Sequence, residues 1–235
     1  DIHTYKFYSF DYYDAVFCSG PGQAESLRRL EELRGTSRKD LPLLGCPYLD
    51  VYAARAEQVG VPEPRTILVA PTWGRNGLLT RTGSLVPKLL ASAGYHVILR
   101  PHPQSFISDR EVMERVAADL QTCKNVEWDR NPDGFSSLSR ASLMVSDVSG
   151  VIFDFAFVFL RPVISVGNGP LKEGFEAWEI PHEAWEMKAL DQIGRRVPAG
   201  NESVIPTMVE EMLGDLTTQT EAIRRVRDEN VVNFG

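Results

Sequence analysis

Little in this sequence lends itself to cross-linking, metal binding or passage through a bilayer. It holds 3 cysteines in 235 residues, Cys18, Cys46 and Cys123. An odd number spaced this widely forms neither a disulfide framework nor a CxxC metal pair, so they read as small buried residues in a reducing compartment. The longest apolar run, 151–166, contains Asp154 and Arg161 and is too short and too charged to span a membrane. The first residues show no basic, apolar and small-residue blocks of a signal peptide. Basic charge is also scarce: 25 Lys+Arg stand against 32 Asp+Glu, a net charge of -7. A nucleic-acid binder needs a concentrated basic face, so none is expected as a partner. GxGxxG, the Walker A loop, HExxH and GxSxG are all absent. Their absence removes the usual dehydrogenase, P-loop, zincin and α/β-hydrolase readings, and no cofactor or metal is expected.

What is present is an ordinary globular composition, 43% hydrophobic and 24% charged, long enough for one large domain or one domain and part of another. Short β-branched runs alternate with helical patterns, which predicts βαβ units around a parallel sheet with helices on both faces. Strands are predicted over 14–20, 42–46, 66–70, 95–99, 126–128, 143–146 and 162–166. Helices are predicted over 23–33, 49–59, 85–93, 109–120, 135–140, 151–157 and 219–230. Gly60, Pro62 and Pro64 mark the clearest linker. The chain therefore divides into the tail of one α/β domain (1–60) and a nearly complete second one (61–235), with five or six parallel strands over 66–170. A start at Asp1 without Met fits a chain whose upstream part is missing.

Three polar loops follow predicted strands, at the sheet edge where open parallel sheets bind ligands. The first carries Pro71, Thr72, Trp73 and Arg75. The second is Arg100-Pro101-His102-Pro103, whose prolines fix the backbone on both sides of the imidazole. A rigid strand-end histidine suits a general acid or a donor to a leaving phosphate, although a solvated turn histidine fits the same residues. Arg100 is a candidate partner for a phosphate or a carboxylate. The third loop is Ser146-Asp147-Val148-Ser149-Gly150, which ends a strand and opens a helix. Unpaired N–H groups at a helix start suit a phosphate, Ser149 can add a hydroxyl, and Gly150 lets the ligand approach the backbone. A plain N-cap fits this segment equally well. Asp154, one turn into the helix, could hold a ligand hydroxyl or pair with Arg100. His96 reads as structural, His3 and His182 have no supporting context, and the acidic, Trp-bearing stretch 173–185 reads as a packed surface helix.

Val69-Ala70-Pro71-Thr72-Trp73, Arg100-Pro101-His102-Pro103, and Val145 through Asp154 followed by Arg161-Pro162-Val163-Ile164 resemble the CDP-glycerol glycerophosphotransferases, the teichoic-acid primases and polymerases. The resemblance covers roughly 40–170. It implies a GT-B arrangement of two Rossmann-like domains, with this chain supplying the C-terminal, nucleotide-binding one and a truncated N-terminal one. By motif, His102 is similar to a family histidine that assists departure of CMP, and Ser149 to one of two adjacent serines that hold the diphosphate. Asp154 is similar to the acid after them, so that His102 and Asp154 are the implied catalytic pair. Gly150 stands where the family has its second serine. The implied donor is CDP-glycerol or another nucleotide-activated group. The acceptor would be a lipid-linked or other cell-surface polymer, and the location cytoplasmic, at the inner face of the membrane with peripheral contact. Two other readings stay open: a nucleotide-sugar glycosyltransferase or UDP-sugar epimerase of the same fold, and a non-catalytic nucleotide-binding fragment.

Overall fold

Thr66-Ile67-Leu68-Val69 is β-branched or apolar throughout, and the strand it forms is buried at every position. Such a segment needs cover on both sides, which a parallel sheet between helical layers provides. The computed structural model describes residues 5–147, 149–169, 175–180 and 185–235. Its strands are β1 (Thr66–Val69), β2 (His96–Leu99), β3 (Val126–Trp128), β4 (Leu143–Ser146), β5 (Val163–Val166) and β6 (Gly194–Val197). All pair in parallel, in the order β3-β2-β1-β4-β5-β6. Five lie where the sequence predicts them. The sixth, Gly194-Arg195-Arg196-Val197, is an edge strand whose two arginines hide the apolar signal. Gly194 is needed there because a Cβ would come within 1.9 Å of the Val163 carbonyl oxygen.

The period of two along each strand divides the core. Ile67, Val69, Val97, Leu99, Leu143, Val145, Ile164 and Val166 face α3 (Leu78–Thr82), α4 (Leu85–Ser92), α6 (Arg110–Leu120) and α10 (Ile205–Gly214). Leu68, Ile98, Met144 and Val163 face the opposite layer. That layer holds α2 (Pro47–Ala56), α7 (Phe135–Arg140), α8 (Val151–Phe159), α9 (Trp185–Ile193) and α11 (Leu216–Asn230). Leu49 and Tyr52 of α2 share this core with Ile152 and Phe155 of α8, so α2 packs as part of the sheet's own layer. The sequence pattern does not reveal α3, the short α5 (Ser105–Ser108) or α10.

Before α2 the architecture changes. The helix α1 (Pro21–Arg34) starts on a proline at its first turn and ends on Gly35 in the left-handed region, φ 61°, the usual asymmetry of helix ends. Cys18, Leu27, Leu30 and Ile180 form a separate small core. The strands expected at 14–20 and 42–46 are reduced to two isolated parallel bridges, Ala15 to Asp40 and Cys18 to Leu43. A parallel pair without flanking strands lacks the neighbours that sustain a ladder. The end of the chain runs past this pair, the Val232 N–H donating to the Ser19 carbonyl at 2.9 Å.

Arg34 at the end of α1 ties this region together. Its Nη1 donates to Asp11 at 2.6 Å, its Nε to Glu179 at 2.6 Å, and its Nη2 to Glu176. Glu176 is fully buried and also accepts the Ser9 N–H at 3.0 Å. Removing one partner of a buried pair strands the remaining charge, at about 3–5 kcal/mol. Arg34 would keep two other carboxylates, so Glu176→Ala is expected to cost about 3 kcal/mol, the lower end of that range. Urea unfolding followed by circular dichroism reads the shift, and a midpoint equal to that of the wild type would contradict it.

Candidate functional site

In this strand order the direction of winding reverses between β1 and β4, and ligands bind at the carboxyl ends of strands at such a switch point. A cleft of about 710 Å³ opens there. Its walls come from Thr72, Trp73, Asn76 and Arg81 after β1, His102 after β2, and Asp147, Ser149 and Gly150 after β4; Val166 to Gly169, Phe175 and Ala199 complete it. The structure thus brings Thr72, Trp73, His102, Asp147, Ser149 and Gly150 into one cleft.

Asp147 is nearly inaccessible, and its carboxylate turns to backbone. One oxygen accepts the Thr72 N–H at 2.8 Å and the other the Leu78 N–H at 2.6 Å. Burial pushes its carboxyl up, while the two N–H groups and nearby Arg81 favour the charged form. It anchors the loop after β1 and the start of α3. Gly74 in that loop donates to Asp109 at 2.7 Å, a second tether. Ser146 is likewise spent within the scaffold, its Oγ donating to the Ala70 carbonyl at 2.6 Å. Ser149 and Gly150, by contrast, border the open start of α8. Gly150 has helical φ and ψ, no side chain caps the helix, and a Cβ on Gly150 would meet open space. A helix start of this kind presents N–H groups and a positive dipole end to the cleft.

His102 is held by its neighbours. Its N–H donates to the Pro71 carbonyl at 3.3 Å, and its carbonyl accepts the Ser105 N–H at 2.8 Å. Its Nδ1 accepts the Gln104 N–H at 3.1 Å, which leaves the proton of the neutral ring on Nε2. Burial lowers its pKa below the ordinary histidine value. The Trp73 ring lies 6.2 Å away, tilted by 33°.

Five candidates do not line the cleft: Pro71 and Ser146 are buried at the strand ends, and three others lie elsewhere. Arg75 is exposed and does not line the cleft. Arg100 turns to the β2–β3 side, where Nη1 donates to Asp129 at 2.6 Å and to the Asn131 carbonyl at 2.7 Å. The Leu99–Trp128 register places that carboxylate beside it. Asp154 is largely buried on the α2 side of α8, close enough to Tyr48 to raise that phenol's pKa, and does not border the cleft. Burial alone pushes its own carboxyl up to about 6. His96 bonds Glu127 at 3.1 Å, as a structural residue would. Val148, His3, His182 and, within 173–185, residues 173, 174 and 181–184 lie outside the described residues. Among the described residues no group of three His, Cys, Asp or Glu side chains comes together as around a metal.

Sequence reasoning missed Arg81, Asn76, Asn168 and Phe175. Arg81 sits on the short α3. Its Nε donates to the Asn76 carbonyl at 3.0 Å and its Nη2 to the Val166 carbonyl at 3.0 Å. Its only sequence signal was membership in a loop rich in Gly, Arg and Thr.

These features define a Rossmann-like α/β domain with its ligand edge at the strand-order reversal, the fold of GT-B proteins. Wall teichoic acid polymerase TagF shares it with a TM-score of 0.58 and 16% identity, over 93% of this chain and 53% of that one. A TagF variant soaked with CDPG gives 0.56 and 19%, over 93% and 51%. The UDP-GlcNAc 2-epimerase of Methanocaldococcus jannaschii, in complex with UDP-GlcNAc and UDP, gives 0.55 and 16%, over 91% and 60%. This chain spans about half the length of TagF. No family model and no curated protein matches it. At these identities the likeness is one of fold, and it agrees in fold with the motif resemblance.

Asp154 supplies a pH test that does not depend on ligand. Its pKa of about 6 lies above the value of 3.8 for an unburied group, so the folded state binds more protons between those limits and stability falls as pH rises through them. Asp154→Asn is expected to stabilise by about 2–3 kcal/mol at pH 7.5 and to change little near pH 4. Thermal melts at the two pH values check it, and equal shifts at both would refute it.

Proposed function

We propose that this chain is the donor-binding part of a GT-B transferase that takes a nucleotide-activated donor, and that the donor is CDP-glycerol. The observation that carries this reading is the meeting of His102, the open start of α8 with Ser149, and Arg81 in one cleft at the switch point. The motif resemblance supplies the choice of CDP-glycerol. Of residues 1–60, expected as the remnant of the N-terminal domain, the part before α2 would fill that role, supported by the separate core around Cys18 and Leu27, whereas α2 itself packs with the sheet.

The reaction would be an in-line displacement. An acceptor hydroxyl attacks the β-phosphorus, forming the new O–P bond while the bond from that phosphorus to the bridging oxygen breaks. CMP leaves with the electron pair. The acceptor's proton passes to a base on the opposite wall of the closed cleft. In the free protein, burial favours the neutral form of His102. An incoming diphosphate favours the imidazolium, so donor binding draws a proton onto the ring. The charged ring then neutralises the departing CMP, while the helix start fixes the phosphates. The acceptor would be a lipid-linked or other cell-surface polymer, met at the cytoplasmic face of the membrane.

A UDP-sugar enzyme is the second reading, favoured by the comparable TM-score of the epimerase. Thermal-shift titration separates the two, since CDP-glycerol or a UDP-sugar should raise the melting temperature selectively. In the active protein His102→Ala is expected to lower kcat by about 10²–10⁴ with little change in donor affinity. Ser149→Ala should weaken affinity more than turnover. Turnover by His102→Ala near the wild-type rate would return that residue to a structural role.

A further inference from the structure

Among the described residues that line the cleft, Arg81 is the one lysine or arginine, and it forms no ion pair with a described residue. Its place is set from three directions. Asp147 holds the first residue of α3 through the Leu78 N–H. The Thr82 hydroxyl donates to the Leu78 carbonyl at 2.8 Å and closes the helix around the arginine. The guanidinium then bridges two loops by donating to Asn76 and Val166. Gly167, at φ +134°, leaves the room it occupies, since a Cβ there would stand 3.1 Å from Nη2. A guanidinium carries five N–H donors in one plane. Two serve this brace, which leaves three on a fixed, permanently charged plane beside the cleft. Asp147 cannot neutralise an anionic ligand, and burial at His102 favours its uncharged form. The cleft therefore has a fixed cation on the β1 and β5 side and a helix dipole on the β4 side.

We infer that Arg81 is the residue by which this cleft counts phosphates, binding the second phosphate of a nucleoside diphosphate and so selecting the activated donor over the spent monophosphate. The inference rests on the nucleotide-donor reading above and adds how the donor is told from its product. A planar guanidinium braced in advance loses little entropy on binding and offers charge-assisted bonds to phosphate oxygens. A monophosphate seated at the α8 start would leave those donors unfilled.

Calorimetric titration of the whole chain with cytidine, CMP and CDP, and with uridine, UMP and UDP, tests this. The wild type should prefer the diphosphate to the monophosphate. Arg81→Gln should weaken the diphosphate by about 10–100-fold, the monophosphate less, and leave the nucleoside unchanged, with Arg81→Lys between them. The diphosphate affinity of the wild type should also fall more steeply with salt than that of Arg81→Gln. If the wild type binds diphosphates no better than nucleosides, the nucleotide-donor reading fails and this inference with it. If the wild type prefers diphosphates and Arg81→Gln keeps the same preference, Arg81 is not the selector although the reading stands. Equal loss of nucleoside, monophosphate and diphosphate would assign Arg81 to bracing alone and likewise overturn the inference.

Discussion

Asp147 accepts the N–H of Thr72 with one oxygen and that of Leu78 with the other, and most of the cleft hangs on those two bonds. Burying a carboxylate is costly, and its raised pKa reflects that cost. The return is geometric. A buried N–H left without an acceptor costs about 1–3 kcal/mol, so the loop cannot drift from the end of β4 without losing two bonds at once. The clamp fixes where the chain leaves β1 and where α3 begins. Trp73, Asn76 and Arg81 all take their positions from that segment. A residue whose own atoms are spent on backbone thus decides the positions of residues whose atoms are free.

The same division of labour runs through the polar side chains at this edge. Ser146, Asp147 and Arg100 are committed to carbonyl, N–H and carboxylate partners within the scaffold. Ser149, Gly150 and His102 border the cleft, and among the described residues their functional atoms have no partner apart from the Nδ1 of His102. Alternation along the strand exit explains part of this. Ser146 still belongs to β4 and pairs with Ser165, whereas Ser149 lies past the turn, where no neighbouring strand competes for it.

This division also explains what the sequence made legible. Buried parallel strands are near-continuous apolar runs, so β1, β2, β4 and β5 announce themselves, and the loops after them follow by position. β6 does not, because Arg195 and Arg196 occupy an edge where only part of the strand is covered. Residues 15–18 and 40–43 read as strands because their composition is right, yet strand formation also needs neighbours that composition does not count. Arg100 is open to a phosphate or a carboxylate in the sequence because its actual partner, Asp129, is set by the register of β2 with β3. Arg81 goes unnoticed in the sequence because its partners, the carbonyls of Asn76 and Val166, are groups that any sequence possesses. What escapes a reading of residues is therefore chiefly what depends on backbone partners brought in by the fold.

The electrostatics of the cleft follow from these commitments. One carboxylate, Asp147, is present but directed inward. One imidazole is present and, by burial, tends to be uncharged. One guanidinium is always charged, and one helix start contributes a partial positive charge. Counted over the described residues, such a site has little net charge when empty and would become more positive when an anion enters, since an anion raises the pKa of a neighbouring imidazole. If a diphosphate binds as proposed, its entry carries some proton uptake at His102, while most of the affinity rests on the helix start and Arg81, so binding should weaken only modestly as pH rises. The low pKa of the empty ring works against binding, because a proton must first be placed there. Under the proposed reaction it would favour turnover, because the ring would shed that proton when the phosphates depart. On the proposed reading, the burial that disfavours the imidazolium in the free protein would also return the ring to its uncharged form once the phosphates have left.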